Sequence, residues 1–130
     1  MGVVVLDASV LIAFVDPGDP HHEPAVEALT RRASEDFVLP ASAYAESMVG
    51  PHRHSSRAVA RLDRVLDDLP VHIEPLTRRI ARLAAALRAS HRSLKLPDAL
   101  VIATGESLQA AEILTADRAW TKASKRAISI

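Results

Sequence analysis

The chain has 130 residues, 48% of them hydrophobic, with 16 basic and 16 acidic side chains and no cysteine. That length fits one domain over 1–130, able to bury about two-thirds of its unfolded surface, and the missing cysteine excludes disulfides, thiol catalysis and cysteine-ligated zinc or iron–sulfur centres. Neutrality hides an asymmetry: residues 1–50 carry two basic groups (Arg31, Arg32) against eight acids, and residues 51–130 carry fourteen against eight, so the halves stand at −6 and +6.

Val3–Leu6 is an unbroken aliphatic run, the pattern of a strand buried on both faces. Asp7-Ala-Ser opens a short apolar helix to about Val15, stopped by Asp16-Pro-Gly-Asp-Pro. His22 to Arg32 reads as a surface helix with Val26, Leu29 and Ala33 on one side. Phe37–Leu39 is a second strand, and Pro40 begins the helix carrying Tyr44, Glu46 and Met48. Gly50-Pro51 is expected to end or sharply kink that helix. Ser55 or Ser56 caps the next, where Val59, Leu62, Val65, Leu66 and Leu69 form an apolar stripe. Val71–Ile73 is a third strand. Leu76 to about Ala89 is a helix rich in alanine and arginine. Pro97 sits in the first turn of another, expected to reach about Ala110. Glu112–Leu114 is a fourth strand and Ala127–Ile130 a fifth. Strands alternating with helices predict an α/β fold with a mostly parallel five-stranded sheet.

This topology has a consequence for the acids. Helices that cross between parallel strands start near the carboxyl edge of the sheet, where open α/β sheets bind ligands. Asp7 follows the first strand directly, Glu46 lies about a turn and a half into the helix after the second, and Asp117 follows the fourth by two residues. Asp98 opens the helix that feeds the fourth strand, so it too starts near that edge. Individually each acid has a bland explanation as a cap or a solvated residue. Jointly they form a cluster whose mutual repulsion a divalent cation would relieve. All-oxygen ligation suits Mg2+ or Mn2+ rather than zinc. Such an ion can acidify a water and neutralise charge on a phosphoryl group, which points to phosphodiester hydrolysis.

The segments VVVLDASVLIA, AYAES, LKLPDALVIATGESLQ and ILTADRAW, in this order and spacing, resemble PIN-domain nucleases and more narrowly the VapC ribonuclease toxins of toxin–antitoxin pairs. The resemblance implies a PIN-like fold, a parallel five-stranded sheet flanked by helices on both faces. It implies Mg2+ or Mn2+ bound by Asp7, Glu46, Asp98 and Asp117, with Ser9 and Thr115 orienting Asp7, Asp117 or a metal-bound water. It further implies endonucleolytic RNA hydrolysis by a metal-activated water leaving 5′-phosphate and 3′-hydroxyl ends, tRNA or ribosomal RNA as target, a homodimer, and a cognate antitoxin that blocks the acidic cleft.

Arg118, Lys122, Lys125 and Arg126 follow Asp117 and are candidates for RNA-phosphate contact. Arg53, Arg57, Arg61 and Arg64, and Arg78, Arg79 and Arg82, read first as solvated helix faces. Two rival readings stay open. His21-His22 and His52-Arg53-His54 offer acid–base groups for a metal-independent ribonuclease, and the Leu83–Leu87 stripe suits a non-catalytic binding module. A phosphatase is disfavoured because Ser9 stands where its second carboxylate would be needed. Only four aromatic residues are present, too few for a base-stacking platform. No apolar run reaches the roughly 18 residues of a membrane span, and no basic leader precedes the first valines. The expected location is the cytoplasm.

Overall fold

In the computed structural model, which describes residues 2–130, the chain runs β1 (Val3–Leu6), α1 (Ala8–Val15), α2 (His22–Arg31), β2 (Asp36–Pro40), α3 (Ala41–His54), α4 (Ser56–Asp68), β3 (Val71–Glu74), α5 (Arg78–Ser90), α6 (Leu96–Ser107), β4 (Glu112–Thr115), a 3-10 turn (Arg118–Lys122) and β5 (Ala127–Ser129). The five strands form one sheet in the order β3-β2-β1-β4-β5, and every pairing is parallel. This is the α/β architecture of the sequence reading, with six α-helices. Consecutive residues Val4, Val5 and Leu6 are all buried. Neighbours in a strand point to opposite faces, so both faces of β1 are covered.

The strand order fixes where a cleft must open. From β1 the chain builds outward through β2 to β3, then returns to the other side of β1 for β4 and β5. The connections diverge on either side of the β1–β4 pair, and a crevice forms beyond the carboxyl ends of those strands. Register keeps those ends level: Leu6 pairs with Leu114 and Thr115 with Ser129. The Asp7 N–H donates to the Leu114 carbonyl at 3.0 Å, carrying the ladder one residue into the crevice.

Several boundaries differ from the sequence reading for identifiable reasons. Helix α3 does not end at Gly50-Pro51 but continues to His54. Pro51 removes only its own N–H, and the last turn is closed by the Ser55 N–H donating to the Pro51 carbonyl at 3.0 Å. Ser55 then caps α4, its Oγ accepting from the Ala58 N–H at 3.1 Å. Thr77 caps α5 in the same way, its Oγ1 accepting from Ile80 N–H at 3.2 Å, so α5 begins at Arg78 rather than Leu76. Helix α6 stops at Ser107 rather than near Ala110, because Gln109 takes a left-handed φ of 51°. That conformation lets the Ala110 N–H reach back to the Gly105 carbonyl at 2.9 Å.

Tertiary anchors hold the helices over the sheet. Tyr44 Oη donates to Asp63 Oδ1 at 2.8 Å and fastens α3 to α4. Arg32 grips Glu112 with two bonds, Nε to Oε1 at 2.7 Å and Nη2 to Oε2 at 3.0 Å, and so ties the end of α2 to the start of β4. Gly105 lets α6 lie directly on β4, since a Cβ there would collide with Ile113. Trp120 is buried behind the turn that follows β4. Among the described residues no helix is long and apolar enough to cross a membrane.

Candidate active site

Asp7 is the centre of the crevice. It occupies the N-cap position of α1, yet its side chain makes no capping bond. Instead its carboxylate is held from two other directions. Ser9 Oγ donates to Oδ2 at 2.6 Å, and Thr115 Oγ1, from the end of β4, donates to the same oxygen at 3.1 Å. The network then extends outward. Ser9 Oγ accepts the Ala116 N–H at 3.1 Å, Thr115 Oγ1 accepts the Asp117 N–H at 3.1 Å, and Asp117 Oδ1 accepts the Ala119 N–H at 2.9 Å. Two hydroxyls thus set the rotamer of Asp7 and the backbone path that presents Asp117.

Asp7 is only 7% exposed. Burial pushes its carboxyl above the usual carboxylate range, against the opposing pull of the Ser9 and Thr115 hydroxyls and the nearby amides of Ala8 and Ser9. Glu46, the sixth residue of α3, is also held high, by desolvation and then by the charges of Asp7 and Asp98. Asp98, in the first turn of α6, is raised by desolvation and by the charges of Asp7 and Asp117, with Lys95 pulling the other way. The four acids therefore share one electrostatic field, although they come from four separate segments. They do not close into a ready-made cage: among the described residues no three Asp, Glu or His side chains are drawn together tightly enough to form an ion site. Like charges facing one another resist such closure. The donor set fits a hard divalent cation, being all oxygen, partly desolvated and surplus in negative charge.

The basic candidates divide. Arg126 donates through Nε to Glu106 Oε2 at 3.0 Å and through Nη1 to the Ala110 carbonyl, which ties β5 to α6 and commits its guanidinium to structure. Arg118, Lys122 and Lys125 are exposed on the turn beside Asp117. Two of the histidines make contacts within the fold. His22 Nδ1 lies 2.7 Å from the Ala13 carbonyl and links α2 to α1, and His72 Nε2 lies 3.0 Å from Glu74. His54 lines a surface cup with Arg57 and Arg61 at the start of α4. One charged residue near the acids in sequence was not singled out in the sequence reading. Lys95, at the N-cap of α6, is the cation whose charge registers on Asp98. Its signal in the sequence is a lysine three residues before Asp98, at the end of a helix where a cation is disfavoured.

A mostly apolar groove of about 410 Å³ reaches one of the four acids, Glu46 of α3, and is walled by Leu11, Phe14 and Val15 of α1 and by Arg61 and Leu62 of α4. Ile12 and Val15 beside it are among the exposed large hydrophobic residues.

The fold and the convergent acids define a class of α/β proteins with a negatively charged crevice at the sheet's carboxyl edge. The profile of the PIN domain matches residues 4–126, and the chain belongs to that family. Solved structures that share its fold include chains of toxin–antitoxin complexes. A chain of a toxin–antitoxin complex from Klebsiella pneumoniae is 23% identical with a TM-score of 0.76, over 97% of this chain and 96% of that one. A chain of VapBC2 from Rickettsia felis, solved bound to a DNA fragment from the promoter, is 12% identical with a TM-score of 0.80, over 98% of each chain. VapC20 of Mycobacterium tuberculosis, a toxin that cleaves the sarcin–ricin loop, is 17% identical with a TM-score of 0.69, over 85% of this chain and 86% of that one. Among curated protein sequences none matches the chain.

Proposed function

We propose that this protein is a divalent-metal-dependent endoribonuclease and the toxin of a toxin–antitoxin pair, cutting RNA to 5′-phosphate and 3′-hydroxyl ends. The observation that carries the reading is the convergence of Asp7, Glu46, Asp98 and Asp117 around a buried carboxylate that the hydroxyls of Ser9 and Thr115 hold in place. In this reading those four acids hold Mg2+ or Mn2+. When bound, the ion would acidify a water and neutralise charge developing on the phosphoryl group. Ser9 and Thr115 keep Asp7 in one rotamer, and Thr115 also fixes the amide of Asp117. Arg118, Lys122 and Lys125 face the incoming RNA backbone, while Arg126 contributes through the fold.

Family membership and the kinship in fold with toxin–antitoxin proteins support a partner antitoxin. Its docking surface in this reading is the apolar groove lined in part by Glu46, which would bring the bound segment to one of the four acids. A homodimer, a cytoplasmic setting, a single functional unit over the whole chain, and tRNA or ribosomal RNA as substrate complete the proposal.

The test is sequencing of RNA 5′-ends after induction of the wild type beside Asp98→Asn, with purified protein assayed in Mg2+, Mn2+ and EDTA. Metal-dependent cuts bearing 5′-phosphates, absent in the variant, are expected. Cleavage that survives both EDTA and Asp98→Asn would sink the carboxylate reading and transfer the chemistry to the histidines.

A further inference from the structure

We propose that the cup formed by His54, Arg57 and Arg61 where α3 meets α4 is a phosphate subsite for the RNA, its two guanidinium groups donating to non-bridging oxygens of a phosphodiester other than the one cut. The inference rests on the nuclease reading for the identity of the ligand, and it gives the substrate a path away from the crevice.

The cup is a surface concavity of about 430 Å³ lined by His54, Ser55, Arg57, Ala58 and Arg61. Ala58 is its only apolar side chain. The cup does not stand alone. Ala58 and Arg61 also line the neighbouring apolar groove, and Glu46 lines that same groove from α3. Arg61 is thus a wall shared by a cationic cup and a groove that reaches one of the four acids. This continuity sets the direction in which a strand leaving the crevice runs, along α4.

Local pairing does not account for these cations. Arg57 and Arg61 are exposed and, among the described residues, neither joins an ion pair. Helix α4 has acids of its own in Asp63, Asp67 and Asp68. None stands three or four residues from Arg57 or Arg61, the spacings at which helical side chains meet. Arg57 and Arg61 instead meet each other one turn apart, and like charges at that spacing destabilise a helix. Arg64, further along, does have Asp67 and Asp68 at those spacings, and it lines neither concavity. An anion seated between the two guanidinium groups turns their repulsion into attraction. A guanidinium donates in a planar fork that matches phosphate oxygens, and such charge-assisted bonds are stronger than neutral ones. The nearly apolar-free lining favours phosphate over a protein segment, which the groove beside it suits better.

Binding of a short labelled single-stranded RNA of mixed sequence to the full chain in EDTA, at several salt concentrations, tests the cup apart from cleavage. Arg57→Gln and Arg61→Gln should each flatten the log–log salt slope by about 0.7, and the double variant by about twice as much. The double variant should also lose about 10- to 100-fold in affinity. In Mg2+ its loss in kcat/KM should fall chiefly on KM. Arg64→Gln removes the same charge from the same helix outside the cup, and should match wild type in slope and affinity. An equal effect of Arg64→Gln, or wild-type binding by the double variant, would overturn the inference. So would a double variant that loses binding of a poly-glutamate peptide but not of RNA, which would assign the cup to an acidic protein segment. Failure of the nuclease reading looks different: the wild type binds RNA with the expected slope yet cuts none in either metal, and the cup then stands as an RNA site without the hydrolysis. All three single variants and the double variant should keep the wild-type unfolding midpoint because these side chains are exposed.

Discussion

Thr115→Val is the sharpest perturbation of the crevice, because one buried oxygen performs two tasks. Thr115 is fully buried, and its Oγ1 donates to Asp7 Oδ2 and accepts from the Asp117 N–H, each at 3.1 Å. Valine keeps the shape and deletes both bonds. A hydrogen bond to a charged group contributes about 1.5–3 kcal/mol, and an orphaned amide costs about 1–3 kcal/mol, toward the lower end here because Asp117 is exposed. The added methyl returns about 0.8 kcal/mol. The net destabilisation is about 2–4 kcal/mol, or roughly 10 °C in Tm for a domain of this size. The pH dependence has a definite sign. The Thr115 hydroxyl lowers the pKa of Asp7 while burial raises it, the latter being the larger effect. A group whose folded pKa lies above its unfolded value contributes stability below the unfolded pKa and loses it as pH rises through the folded one. Removing the hydroxyl raises Asp7 further, so the deficit of Thr115→Val should be smaller in acid and grow toward neutral pH. The acid limb of the cleavage profile should move to higher pH. Thr115→Ser restores the hydroxyl, so it should recover the acid limb while remaining less stable for want of the methyl. Thermal unfolding and cleavage rates between about pH 5 and 8 provide the assay. A valine variant with an unmoved acid limb, or a serine variant that behaves like valine, refutes the reasoning.

Three further perturbations test the scaffold. Gly105→Ala drives a Cβ into Ile113 and should destabilise by about 1–3 kcal/mol despite alanine's better helix propensity; Gly105→Ala with Ile113→Val should recover part of the loss in a denaturant titration. Arg32→Met removes the two-bond grip on Glu112, at about 1–2 kcal/mol for a half-buried pair. Arg32 holds Glu112 below its ordinary pKa, so this contribution is present above the unfolded value of about 4.3 and lost as pH falls through the folded one; the melting curves of wild type and variant should converge in acid. Arg126→Met should lower Tm with little change in the salt dependence of RNA binding, whereas Lys122→Ala should do the reverse, since Arg126 is bonded to Glu106 and Ala110 and Lys122 is exposed.

What could be read from the sequence is what depends on order and period. An aliphatic run of four, a helix opened at Asp7, and later strand–helix alternation suffice to predict a parallel sheet. The handedness and direction of its crossovers then carry Asp7, Glu46, Asp98 and Asp117 to one edge. What escaped depends on partners remote in the chain. Arg126 resembles its basic neighbours until Glu106, twenty residues away, is seen to bind it. Gln109 carries no warning that it will take a left-handed φ, since glutamine is not a residue that favours that region. Pro51 breaks helices on average but not where Ser55 recloses the turn.

Three charged residues that depart from stability logic lie near one another in this molecule. Asp7 is a buried carboxylate at a helix start that it does not cap. Glu46 stands in the wall of an apolar groove and in the field of two other acids. Lys95 places a cation at the wrong end of α6. Each departure costs folding free energy, and each lies at the carboxyl edge of the sheet, beside the crevice that the strand order opens. By contrast, Ser55 and Thr77 cap their helices, and Gly105 sits where backbone meets side chain. Random drift would scatter such costs over the surface. Their concentration in one cleft is what selection for binding at that cleft leaves behind. It follows that a neutralising substitution there, Asp7→Asn, should leave the metal-free fold as stable as wild type or more so, while removing the activity for which the cost was retained.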